Sequence, residues 1–156
     1  MDAAGVKPGE LVLDVGAGLG ALTAPLVRAG ARVVAVELHP GRADRLRRRF
    51  EDAPVTVVRA DATDLRLPAR PFRVVSSPPY NVSTQLLKRL LAPGSRLVSA
   101  DLVLQRQVAN RWVRGDAPGA NRWFRHYDPS IGIRLPRKAF TPPPHVDSAV
   151  LVLRKR

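Results

Sequence analysis

The sequence predicts an α/β fold built on a mostly parallel, doubly wound sheet. Three observations carry that prediction. Over roughly the first hundred residues, short runs of branched apolar residues alternate with helical patterns, which is the mark of βαβ units. A glycine turn, Gly16-Ala17-Gly18-Leu19-Gly20, follows the first apolar run directly. Glu37 and Asp61 then close the second and third strands, and in a doubly wound sheet such carboxyl ends share one crevice.

Met1 to Glu10 reads as a short lead-in, with Lys7-Pro8-Gly9 as a turn. The first strand is Leu11 to Val15. A strand running through glycines into a helix start brings backbone N–H groups close to a ligand. The spacing Gly-x-Gly-x-Gly departs from the Gly-x-Gly-x-x-Gly of dinucleotide folds, and a tight connection is the plainer reading of such a turn. A helix from about Gly20 to Ala29 follows, stopped by Gly30. Ala31 to Glu37 is the second strand. A carboxylate at its end can accept hydrogen bonds from both hydroxyls of a ribose, or it is an ordinary solvated glutamate.

His39-Pro40 opens the next helix, with proline near its first position. Leu46 and Phe50 are four apart and face the core. Arg42, Arg45, Arg47, Arg48 and Arg49 read as a solvated outer face, with RNA contact as the other reading. Val55 to Arg59 is the third strand. Asp61 after it suits an adenine amino group, or acts as a turn residue or helix cap.

Phe72 to Ser76 is the fourth strand, and Ser76-Ser77-Pro78-Pro79-Tyr80-Asn81 is the most specific stretch of the chain. Two prolines leave a rigid backbone without amide donors, so its carbonyls are open to accept. Ser77 adds a hydroxyl and Tyr80 a ring. Acceptors beside a ring suit a planar amine whose base stacks on the tyrosine; a rigid strand-to-helix turn is the alternative. Asn81 to Leu91 reads as a helix with Leu86, Leu87, Leu90 and Leu91 as its apolar stripe. Arg96 to Leu104 is a fifth strand and Gln105 to Val113 a helix. Arg114 to Asp128 reads as a loop. Across and just before it, cations alternate with rings: Trp112, Arg114, Arg122, Trp123, Phe124, Arg125, His126 and Tyr127. Rings between arginines suit unpaired bases beside phosphates, whereas each tryptophan can equally anchor the segment on the core. Ile131 to Leu135 and Asp147 to Leu153 are the last two strands, read as a hairpin.

Composition bounds the partners. The 26 Lys and Arg against 13 Asp and Glu give a formal charge of +13, which points to a polyanion. Nearly all the cations are arginines, which suit bidentate phosphate contact. The absence of cysteine excludes disulfides, thiol nucleophiles and thiolate metal sites. His39, His126 and His145 stand apart, so no metal site is expected. No apolar run approaches the roughly 18 residues of a membrane span, and no signal-peptide pattern opens the sequence. A cytoplasmic monomer is the expectation.

The stretches Asp14-Val-Gly-Ala-Gly-Leu-Gly20, Val36-Glu37, Asp61-Ala62, Pro78-Pro79-Tyr80-Asn81 and Phe140-Thr-Pro-Pro-Pro-His-Val-Asp-Ser148 together resemble the rRNA adenine N6-methyltransferases. That family uses S-adenosylmethionine and includes the erythromycin-resistance and small-subunit dimethyladenosine enzymes. The run Asp101-Leu-Val-Leu-Gln-Arg106 and the Phe140 loop look most like short actinobacterial members of the erythromycin-resistance branch. The resemblance covers Leu11 to Arg154. It implies a Rossmann-like class I methyltransferase with a seven-stranded, mostly parallel sheet and an antiparallel last strand. It implies cofactor contacts at Asp14, Gly16, Gly18, Glu37, Asp61, Ala62 and Ser77. Ser77, Pro78, Tyr80 and Phe140 would form the catalytic group, the two rings sandwiching the target adenine. RNA would be held by Arg106, Arg111, Arg114, Arg122, Arg125, Arg137 and Lys138.

Three departures accompany the resemblance. Ser77 stands where the family usually has asparagine; the Ser-Pro-Pro-Tyr form is typical of enzymes acting on cytosine amines in DNA. The family's leading segment, which closes over the cofactor, and its helical C-terminal domain are both read as absent, leaving 1–156 as one catalytic domain. The expected reaction is methylation of an adenine N6 in rRNA, with 23S rRNA and macrolide-type resistance as the specific expectation. A DNA amino-methyltransferase and a non-catalytic rRNA-binding module are the rivals.

Overall fold

The computed structural model describes residues 5–117, 119–123, 125–135 and 146–156. Among them, seven strands form one sheet in the order β3-β2-β1-β4-β5-β7-β6. The strands are β1 (Leu11–Val15), β2 (Arg32–Val36), β3 (Val55–Val58), β4 (Phe72–Ser76), β5 (Leu97–Gln105), β6 (Tyr127–Leu135) and β7 (Ser148–Lys155). The first five pair in parallel, while β7 runs antiparallel to both β5 and β6. The helices are α1 (Thr23–Arg28), α2 (Pro40–Arg49), α3 (Ser83–Leu90), α4 (Arg106–Arg114) and α5 (Ala120–Trp123). The mostly parallel sheet with its antiparallel last strand agrees with the sequence expectation.

Apolar residues pack on both faces of the sheet, as a parallel sheet requires. On one side Leu86, Leu87, Leu90, Leu97, Leu102 and Trp112 lie in one buried cluster; on the other Val12, Leu26, Val33, Leu46 and Phe50 lie in a second. The predicted inward faces of α2 and α3 are thereby confirmed.

Most boundaries move by a residue or two, and four departures are informative. The first helix starts at Thr23, not Gly20, because Gly20 has φ +98. The third helix starts at Ser83, after a single 3-10 turn over Tyr80–Val82 that continues the stiff proline pair. The stretch 114–128 is not a loop throughout, since it contains α5 and the start of β6. β6 begins at Tyr127 rather than Ile131: Pro129 falls within it, which is tolerated because β6 is the outer strand.

The ring-and-cation reading is corrected at two rings. Trp112 is 1% exposed and part of the core, so the anchoring alternative holds for it. Tyr127 is also buried, and its hydroxyl donates to the Leu97 carbonyl at 2.8 Å. Neither ring is available to a base.

Candidate active site

The order of strands reverses between β1 and β4, and the chain segments leaving those two strands meet there. A Cβ built on Gly16 would lie 2.9 Å from Pro79 Cδ and 3.4 Å from Pro78 Cα. The glycine turn and the Ser-Pro-Pro turn are therefore in contact, and only glycine fits between them. This is where open α/β sheets bind ligands, outside the carboxyl ends of the strands. A cleft of about 610 Å3 lies there, lined by residues that include Gly16, Gly18, Glu37, Asp61, Ala62 and Ser77. Six of the seven residues expected to touch a cofactor thus share one cavity.

The glycine turn is held from below. Gly16 and Ala17 donate to the Val36 carbonyl at 2.8 and 3.0 Å, and Gly20 donates to Ala17 at 3.0 Å. The Gly18 amide donates to Glu37 Oε1 at 2.9 Å. The amides expected to face a ligand are thus engaged already, and the turn offers close approach rather than a row of open donors. At Gly18 that approach is unobstructed: φ is +60, and an added Cβ would meet nothing within 4 Å.

Glu37 is 5% exposed and held at both oxygens. Its Oε2 accepts from the His39 amide at 2.8 Å and faces Arg42 Nη2 at 3.4 Å. Asp61 caps the 3-10 turn Ala62–Asp64. Its Oδ1 accepts from the Thr63 amide at 2.9 Å and from Thr63 Oγ1 at 2.8 Å. Those two bonds hold the carboxyl below its ordinary range and keep it charged. The helix-cap alternative and a place in the cleft are both realised.

Asp14 sits apart from the others. Its side chain is buried under the turn, and Thr23 Oγ1 donates to its Oδ2 at 2.8 Å. Burial pushes its pKa up to about 7, opposed by the Thr23 bond and assisted by the Glu37 charge. It braces the floor of the cleft rather than lining it.

Pro78 is buried and Tyr80 half-buried beyond the Ser77 end of the cleft. The Tyr80 hydroxyl lies 2.6 Å from Ser148 Oγ, and Ser83 Oγ donates to the Tyr80 carbonyl at 3.0 Å. Phe140, Arg137 and Lys138 lie outside the described residues.

Leu19, Leu38 and Val82 also line the cleft and were not singled out from sequence; Arg42, read as part of an outer face, lines it too. Leu19 is 51% and Leu38 57% exposed, both large apolar side chains facing solvent next to a glycine and an acidic residue. An apolar residue directly after the acidic strand end was the available signal for Leu38.

Among the described residues, the arginines expected to hold RNA are not brought together. Arg106 follows β5 at the cleft end, and its guanidinium is 3.8 Å from Asp147. α4 carries Arg111 and Arg114 away from it, and Arg114 pairs with Asp116 at 3.1 Å. Arg122 and Arg125 lead into the start of β6. That start pairs with the end of β7 at Lys155, so they lie toward the opposite end of the sheet.

Among the described residues, no helix is long and apolar enough to cross a membrane. The model of the family described as "Ribosomal RNA adenine dimethylase" matches residues 1–156. An rRNA adenine N-6-methyltransferase from Corynebacterium diphtheriae is 35% identical over 147 residues, covering 92% of this chain and 57% of that protein. The mycinamicin-resistance protein MyrB of Micromonospora griseorubida is 38% identical over 148 residues, covering 93% of this chain and 47% of that one. The crystal structure of the 23S rRNA methyltransferase ErmE superposes with a TM-score of 0.87 at 30% identity, covering 98% of this chain and 64% of its own. The chain spans about half the length of the curated relatives it matches. With that turn-to-turn contact, that cleft and a family match running from one end to the other, the chain belongs to the ribosomal RNA adenine dimethylase family.

Proposed function

We propose that the cleft binds S-adenosylmethionine and that the chain supports transfer of a methyl group to the N6 of an adenine in rRNA. The observation that carries this reading is the contact between the glycine turn and the Ser77-Pro78-Pro79 turn at the switch point. It sets a cofactor cradle and a carbonyl-rich amine site side by side. The cleft, at about 610 Å3, suits a nucleoside bearing an amino-acid arm.

When bound, the cofactor supplies a methyl group already activated on a sulfonium sulfur. Glu37, fixed at both oxygens, accepts from the ribose hydroxyls. Asp61 accepts from the adenine amino group through Oδ2, since both Thr63 bonds fall on Oδ1. Leu38 provides an apolar wall for the purine. Gly18 lets the amino-acid arm lie against backbone.

The target adenine leaves its stack to reach the turn. Its amino nitrogen is a poor nucleophile because the lone pair is delocalised into the ring. Ser77 Oγ and the Pro78 carbonyl accept its N–H groups and draw it toward tetrahedral geometry. Tyr80 stacks on the base. Alignment supplies much of the acceleration, and the extra proton leaves to water. The finer reading is 23S rRNA and macrolide-type resistance, supported by the likeness to the mycinamicin-resistance protein and to the 23S rRNA methyltransferase ErmE.

Two variants test this reading. Tyr80→Ala is expected to lose at least about tenfold in single-turnover methyl transfer, of the order that stacking on one ring contributes. Glu37→Ala is expected to weaken S-adenosylmethionine binding in a calorimetric titration. Unchanged rates in the first, together with unchanged affinity in the second, would remove the assigned roles.

A further inference from the structure

Tyr80 is tied to a part of the molecule far from it in sequence. Its hydroxyl lies 2.6 Å from Ser148 Oγ. β4 and β7 are not neighbours, since β5 lies between them. The tyrosine therefore reaches across the carboxyl end of β5 to the first residue of β7. Ser148 is a rigid anchor: it is fully buried and pairs with Gln105 on one side and Leu135 on the other. At its other end Tyr80 is equally constrained. Pro78 and Pro79 fix the backbone before it, the Val82 amide donates to the Pro79 carbonyl at 3.1 Å, and Ser83 Oγ donates to the Tyr80 carbonyl. The remaining freedom is rotation of the side chain, and the hydroxyl bond to Ser148 restrains its swing about the Cα–Cβ bond.

We propose that Ser148 is a positioning residue that fixes where the Tyr80 ring stands when the target base stacks on it. The proposal rests on the reading of Tyr80 as the stacking ring. Sequence alone hides this link, because nothing local connects a serine at a strand start to a tyrosine in a turn two strands away. The physical consequence is pre-organisation: with the ring already set, the base does not have to order it on arrival. Loss of the tether lets the ring swing, and small errors of placement at a reacting centre are costly.

The test uses Ser148→Ala and Tyr80→Phe, singly and together, with Ser148→Thr as the conservative variant. Methyl transfer from labelled S-adenosylmethionine to 23S and 16S rRNA is followed in single turnover at saturating cofactor, and cofactor affinity by calorimetry. Each single variant is expected to lose about tenfold in rate with cofactor affinity unchanged. The double variant is expected to be no slower than either, because both remove one bond. Ser148→Thr keeps the hydroxyl and is expected to recover part of the rate.

A second readout is independent of catalysis. The chain has 2 tyrosines, Tyr80 and Tyr127, so ring-labelled NMR spectra are simple. The Tyr80 ring signals are expected to lose their NOEs to the start of β7 and to move toward unfolded-chain positions in Ser148→Ala, while the core Tyr127 serves as the internal control for a general loss of stability. Tyr80→Phe, at a half-buried site, keeps the question answerable if Ser148→Ala does not fold. An active wild type whose Ser148→Ala and Tyr80→Phe variants keep full rate, or whose effects simply add, overturns the proposal alone. A wild type that methylates neither rRNA overturns the underlying reading and the proposal with it.

Discussion

The carboxyl of Asp14 is protonated more readily in the folded chain than in the unfolded one, because burial raises its pKa from 3.8 to about 7. Its contribution is therefore fully present below about pH 4 and is lost as the pH rises toward 7. The slope is at most about 1.4 kcal/mol per pH unit for one proton. Asp14→Asn keeps an acceptor for Thr23 and cannot ionise. Its stability relative to wild type, measured by urea denaturation, is expected to improve steadily from pH 4 to 7 and then level off. A difference that does not change with pH would show that Asp14 does not titrate in this range. Other residues differ in how far sequence exposed them. Glu37 and Asp61 were legible because an acidic residue at a strand end is a local pattern. The Thr23 bond to Asp14 was not, since it joins a strand to a helix through the interior.

The two turns at the switch point act as one element. Gly16 has φ +76, and a Cβ there would press 2.9 Å against Pro79 Cδ, part of a ring that cannot move aside. Gly16→Ala is expected to lose more than about 1 kcal/mol of stability in denaturant titration, from backbone strain and the clash together. A stability within experimental error of wild type would contradict the contact between the turns. The glycine spacing itself was readable, but the engagement of the Gly16, Ala17 and Gly18 amides was not, because their acceptors come from β2 and Glu37. The start of β6 escaped for a related reason. Pro129 reads as a strand breaker until its strand is known to be the outer one. Trp112 sits among arginines in sequence and in the core in space, since α4 turns that face onto β6 and β7.

At the scale of the whole molecule, the formal charge is +13, and among the described residues arginines stand at both ends of the sheet. Arg106 is at the cleft end and Arg125 toward the far end. If RNA enters at the cleft, Arg106→Ala should weaken rRNA binding more than Arg125→Ala. It should also reduce the dependence of log affinity on log salt by about one unit for one lost phosphate contact. Equal losses would place the RNA across the whole edge instead. The parallel sheet was readable from alternation and its crevice from the glycine turn and the acidic strand ends, whereas the placing of Arg106 and Arg125 depended on the antiparallel return of β7 and β6. The most direct measurement of the central claim is transfer of tritiated methyl from S-adenosylmethionine to 23S rRNA, 16S rRNA and duplex DNA, followed by digestion and nucleoside analysis. Label recovered in N6-methylated adenosine from rRNA is the predicted result. Label found only in DNA cytosine, or in no nucleic acid while the cofactor still binds, would contradict it.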